Sequence, residues 1–283
     1  MKDPRIVSRR MTRWIAGGTL AVALSAFAPQ SFAQIVTLTH NNSTARINTS
    51  GGLSSGMTDW SVDGLDPLQL QWFWYRAGAM TSEARIDAIS APIINMTSAR
   101  QSTISYFNGS FGVSVDYLLT GGSAGSGFAS INEVISITNA SATPLTFSFF
   151  QYSDFNLGGG PGDHVGIGTG LGGLFNEAVQ TNGPNRLAES SITPGANRAE
   201  AAIFPFTLTR LDDASVTILN NTTSAGPGDA TWAFQWDFVI AAGGSVGISK
   251  LKDVTIPEPS MLALMGLGTV ACMIYRRQKT RRH

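Results

Sequence analysis

The chain has 283 residues, with 19 Lys and Arg against 19 Asp and Glu, but this balance comes from its two ends. Five basic residues precede residue 14 and five follow residue 275, which leaves nine basic and seventeen acidic side chains between Gln34 and Ile256. That acidic centre excludes nucleic acid and disfavours anionic lipid or polysaccharide as simple electrostatic partners, because these require a basic footprint. The single cysteine, Cys272, lies outside the centre, so the centre has no disulfide, thiol nucleophile or Cys-ligated metal.

At the start, Lys2, Arg5, Arg9, Arg10 and Arg13 precede an apolar stretch from Trp14 to Ala28, and Ser31-Phe32-Ala33 supplies small residues ahead of Gln34. Residues 1–33 therefore read as a secretory signal peptide. Met11-Thr12 lacks the bulky apolar residue expected two positions after a twin-arginine pair. The route is accordingly Sec export of an unfolded chain, with removal of the leader by signal peptidase.

Residues 34–256 carry no sustained helical stripe, but several segments alternate with a period of two, as half-buried strands do. Val113, Val115, Tyr117 and Leu119 share one face, as do Leu145, Phe147 and Phe149, and as do Trp232, Phe234, Trp236 and Phe238. Glycine-rich breakers at 121–127, 158–162, 226–229 and 243–244 separate such runs. The expectation is an all-β domain, a β-sandwich or jelly-roll-like fold, over 34–256.

Chemistry-bearing candidates within it are few. Trp72, Phe73, Trp74 and Tyr75 place rings on both faces of one strand. They are either core, or a stacking platform for sugars built on Trp72, Trp74 and Tyr75. Arg76 closes the run and can pair with a carboxylate. Asp154 and Asn156, a glycine loop and Asp163 supply oxygen ligands on a bend, a candidate calcium site if enough further oxygens join them. The alternative is a wide hairpin in which Asp and Asn cap turns. Asp229 has the same two readings.

Glu133 has the strand parity of Ile131, Ile135 and Ile137, which turns a carboxylate inward. It is either an acid with a raised pKa or half of an ion pair with Arg76, Arg85 or Arg100. Only His40 and His164 are present in 34–256, and neither lies near a Gly-x-Ser-x-Gly elbow, a His-Glu-x-x-His helix or a Walker loop. An enzyme is not the expectation, and no cofactor other than calcium is.

The end of the chain is the most specific segment. From Ser260 to Tyr275 there is no charge. A helix of that length reaches roughly 24 Å at about 1.5 Å per residue, against about 30 Å of hydrocarbon. Such a helix over 260–275 is short but workable, with Tyr275 at the headgroups and Arg276, Arg277, Lys279, Arg281 and Arg282 snorkelling. Those five basic residues place the C-terminus in the cytoplasm and the domain outside.

Pro257-Glu258-Pro259, the short apolar run and the basic end resemble the PEP-CTERM sorting signal of Gram-negative bacteria. The resemblance implies recognition and cutting near Pro257-Glu258-Pro259 by an exosortase, after a transient stay in the inner membrane. The stretches 71–76, 150–155 and 232–237, with Ser249-Lys250, also resemble a domain recurrent in such proteins. That resemblance spans most of 60–252 and implies architecture and a surface setting without any chemistry.

The functional expectation is thus an exported, exosortase-sorted protein of the cell surface or exopolysaccharide matrix with a structural or adhesive role. The alternative is a carbohydrate-binding module, assisted by calcium. The third is a hydrolase in which Glu133 or Asp154 faces a second carboxylate.

Overall fold

The computed structural model describes residues 34–160 and 162–257. The signal peptide, the membrane helix expected at 260–275, Glu258, Pro259 and the basic residues from Arg276 to Arg282 lie outside the described residues. Within them the strands are β1 (Ile35–His40), β2 (Ser43–Asn48), β3 (Gly56–Val62), β4 (Leu68–Ala77), β5 (Ala84–Arg85), β6 (Ile93–Ser98), β7 (Gln101–Phe107), β8 (Phe111–Gly121) and β9 (Phe128–Asn139). There follow β10 (Leu145–Phe155), β11 (Asp163–Thr169), β12 (Phe175–Asn182), β13 (Asn185–Thr193) and β14 (Arg198–Ile203). A six-residue helix, α1 (Phe206–Leu211), then precedes β15 (Ser224–Gly228), β16 (Ala230–Ile240) and β17 (Ser245–Thr255). Among the described residues no helix is long and apolar enough to cross a membrane.

The strands form two sheets, β1-β2-β3-β4-β10-β16-β14 with β5 on β4, and β15-β11-β12-β13-β17-β9-β8-β7-β6. All pairings are antiparallel. The sandwich is as expected, whereas the jelly-roll part of the expectation is not reproduced. A jelly roll closes eight strands through two Greek keys; here most neighbours are consecutive hairpins, and the sheets have eight and nine strands. Gly121 closes β8, the breakers at 122–127 and 243–244 and the described residues of 158–162 fall between strands, and Gly226-Pro227-Gly228 lies in β15, a short edge strand on β11.

Alternation places the core. In β8 and β9, Val113 opposes Ile137, Val115 opposes Ile135 and Leu119 opposes Ile131. All six face the other sheet and are buried. Across the gap, Phe73 stacks on Phe149 and Tyr75 on Phe147, while Phe111 of β8 meets both Tyr75 and Phe147. β10 has β4 and β16 on either side, so none of its backbone edge is free.

The outer face of β10 is covered too. Segments near Glu83 to Ile89 and from α1 to Leu219 fold across it, tied by Thr217 N–H donating to Glu83 at 3.0 Å and by Arg85 bridging to Asp212 at 2.7 Å. This third layer explains why Phe150, Tyr152, Ala233 and Gln235, on the face opposite the sandwich core, are buried as well.

The last strand is fastened at its end. Asp63 accepts hydrogen bonds from Gly125 N–H at 2.8 Å and Gly127 N–H at 2.9 Å, and Gly127 C=O accepts from Ile256 N–H at 2.7 Å. Gly127 has φ +63°, and a Cβ there would run into the Ile256 carbonyl. Gly127→Ala should therefore lower unfolding stability by about 1–3 kcal/mol, the cost of strained backbone held in place. Chemical denaturation would check this, and an unchanged midpoint would show that the clamp contributes nothing.

Candidate functional site

The aromatic candidates are not a surface. Trp72 and Trp74 are 0% exposed and Tyr75 is 6% exposed, so the sugar-stacking platform read from the sequence is corrected to core. The reason is the third layer: Trp72 and Trp74 point away from the sandwich interior, but their indole N–H groups donate to Asp87 at 3.2 Å and Asp212 at 2.9 Å. Arg85 also lies 4.6 Å over the Trp74 ring. Arg76 does find a carboxylate, Glu83, and lies 5.7 Å over the Phe150 ring.

Exposed rings occur where the sequence reading did not look. Phe204 and Phe206, flanking Pro205 at the start of α1, are 43% and 54% exposed, with Arg210 5.4 Å over the Phe206 ring.

Glu133 does turn inward, but none of Arg76, Arg85 and Arg100 is its partner. β17 lies beside β9 in a register that sets Lys250 opposite Glu133, and beside β13 in one that sets Lys252 opposite Glu189. Lys250 pairs with Glu133 and approaches Glu189 at 3.2 Å; Lys252 lies 3.3 Å from Glu133 and 3.6 Å from Glu189. The four side chains are completely enclosed between the sheets.

Glu189 also accepts from Gln151 at 2.6 Å and from the Trp232 indole at 3.0 Å, both on the opposite sheet. Burial pushes both lysines below their ordinary pKa; the neighbouring Lys252 lowers Lys250 further, whereas Glu189 opposes the shift at Lys252. Two carboxylates and two ammonium groups of one sheet balance in charge, and Glu189 alone of them hydrogen-bonds to the other sheet. With no exposed atom, Glu133 offers nothing to a substrate. The signal that could have found this quartet is the parity of Lys250 and Lys252, which alternate inward with Ile248 and Val254.

The loop candidates are regrouped. Asp154, near the end of β10, and Asp163, the first residue of β11, come close to Asp229, which links β15 and β16. Burial first, then the Asp229 charge, pushes Asp154 up to about 7, with Asp163 adding to the rise and the Tyr152 hydroxyl, donating at 3.3 Å, opposing it. Asp163 is likewise raised by burial, against which Asn182 and Gln180 face its carboxylate. Asn156 belongs elsewhere: its N–H donates to Pro67 C=O at 2.7 Å. Among the described residues no three His, Cys, Asp or Glu side chains are gathered closely enough to hold a metal ion as they stand.

Where β17 ends, the chain leaves the sandwich beside a cavity of about 470 Å³ lined by Asp66, Pro67, Asn156, Asn185, Ile256 and Pro257, among others. Among the described residues Ile256 is the last held by a backbone hydrogen bond, and Pro257 is exposed. Of Pro257, Glu258 and Pro259, only the first is among the described residues.

Residues 255–282 match the family described as the PEP-CTERM protein-sorting motif. No curated protein matches the chain in sequence. Solved structures resemble it in fold. A candidate aldose 1-epimerase from Escherichia coli K12 is 10% identical with a TM-score of 0.51, covering 79% of this chain and 99% of its own. A bacterial glucoamylase complexed with acarbose is 7% identical with a TM-score of 0.53, over 86% of this chain and 36% of its own. The Slr1438 protein of Synechocystis sp. PCC 6803 is 9% identical with a TM-score of 0.50, over 80% and 96%. At these identities the likeness is one of fold: a large antiparallel two-sheet sandwich.

Proposed function

Because residues 255–282 are a PEP-CTERM sorting motif, we propose that the chain is exported, held by its C-terminus in the inner membrane and cut by an exosortase near Pro257-Glu258-Pro259. Its sandwich then serves as a structural or adhesive component of the cell surface or exopolysaccharide matrix. The observation that carries this reading is the join between domain and signal: β17 runs to Thr255, and the motif begins at the same residue. The sorted cargo is therefore the whole sandwich. The sealed Glu133 quartet supports a scaffold, since its charges are spent on one another within a single sheet and, through Glu189, on bonds to the other.

A second reading, carbohydrate binding, is favoured by the exposed rings of Phe204 and Phe206, which can stack on apolar sugar faces as Trp72 and Trp74 cannot. The glucoamylase fold adds no ligand to this reading. The two readings separate by titrating the processed protein against the producing organism's own exopolysaccharide. No saturable binding, together with weakened matrix cohesion in cells lacking the chain, supports the structural role. Saturable binding that disappears in a Phe204→Ala/Phe206→Ala double variant replaces it with the second reading.

A further inference from the structure

The end of the sandwich near Asp154 gathers acidic side chains for which no cation among the described residues compensates. Asp163 is completely buried, and neither of its carboxylate oxygens has a hydrogen-bond donor in normal geometry. Asn182, Gln180 and the Leu157 N–H face it without meeting that geometry, and Gln180 Nε2 is already committed to Phe155 C=O at 2.5 Å. One oxygen each of Asp154, Asp229 and Gln180 is also buried without a donor. No Lys, Arg or His acts on Asp154 or Asp163, in contrast to Glu133, Glu189 and Glu200, each of which has a cation.

Buried acceptors without donors are costly, and like charges without a counter-charge more so. Protonation adds one donor per carboxyl at most and leaves acceptors over. A hard cation satisfies charge and oxygens together, since calcium takes six to eight oxygen ligands in irregular geometry at about 2.3–2.6 Å. Magnesium demands a near-ideal octahedron and keeps its waters, which an enclosed, irregular group of carboxylates on separate strands does not offer.

We propose that Asp154, Asp163 and Asp229, with the side-chain oxygen of Gln180, form a calcium site between the ends of β10, β11, β12 and β15. Asn156 is not part of it. The carboxylates must draw together on binding. That reorganisation places the site among weak extracellular calcium modules, with a dissociation constant on the order of 10⁻⁴–10⁻³ M.

The test is calcium titration of the full-length chain in detergent by equilibrium dialysis and thermal melting, at about pH 8 so that the ligands are deprotonated. The expected result is saturable uptake of a single calcium per chain and a higher melting temperature in calcium than in chelator, with a smaller effect of magnesium. Asp163→Asn should weaken uptake at least about tenfold, the lower end of what second-shell losses alone produce. Asp229→Asn, at a less buried position, should do the same, and the melt of each variant in chelator reports that it is folded.

Absence of uptake by the unaltered chain at ten times the upper end of that affinity range would overturn the site. So would uptake that both folded variants retain. Variants that melt higher than the parent in chelator, with no calcium response in either, would show that the cluster is an unrelieved repulsion only.

Discussion

A chain carrying Pro257→Ala, Glu258→Ala and Pro259→Ala should accumulate as a full-length species in the inner-membrane fraction, its C-terminus still ending in His283 by mass spectrometry. The surface-associated form should fall to near zero. The fold explains why so much rests on three residues. β17 is bonded to β13 along one edge and β9 along the other, and Ile256 is tied to Gly127. A processing enzyme cannot accept residues up to Ile256 as an extended substrate without opening the second sheet at its centre. Any cut that leaves the second sheet intact therefore falls after Ile256, where Pro257, Glu258 and Pro259 lie. Wild-type processing in the triple variant would show that recognition resides in the apolar and basic parts of the tail instead.

The second large effect is expected in the quartet between the sheets. Removing one member, as in Glu189→Gln or Lys250→Met, leaves an enclosed charge without its counter-charge, which costs about 3–5 kcal/mol. Against a total stability of about 5–15 kcal/mol, this removes a third or more of the stability of a typical domain and, at the lower end of that range, leaves about half of the molecules unfolded. Glu189 should be the most sensitive position, because it also accepts from Gln151 and Trp232 across the sandwich. Replacing all four by apolar residues of similar volume should be far milder, near neutral or stabilising, because the desolvation cost of the ions disappears with them. Urea denaturation of the single and fourfold variants would decide it. A single variant that shifts stability by less than about 1 kcal/mol would mean that the group behaves like a solvated surface pair.

How far the sequence could be read depended on the range of the interactions involved. The tail is a local, linear signal, so Pro257 to Arg282 could be read directly. Strand alternation is also local, and it placed Val113, Val115, Tyr117 and Leu119 together and turned Glu133 inward, all as found. Partner choice is not local. Glu133 and Lys250 are far apart in the chain and meet only because β17 returns beside β9, and a lysine in an alternating strand looks like a solvent-facing residue until its register is known. Trp72 and Trp74 failed for a related reason: a period of two says that a side chain leaves one face but not what covers the other, and here residues near Asp87 and Asp212 cover it. Asp229 joined Asp154 and Asp163 only through the pairing of β15 with β11.

The placing of β17 has a temporal consequence. It is the last strand among the described residues, yet it sits in the middle of its sheet, between β13 and β9. In a chain that crosses the membrane unfolded, two long inner strands present unpaired backbone until β17 arrives, and Glu133 and Glu189 have no lysines to meet. The domain therefore reaches its finished state only when translocation has come down to the sorting signal itself. In such a chain completion of the fold coincides with arrival of the sorting motif, and until then the open edges of β13 and β9 are free to pair with a neighbouring molecule.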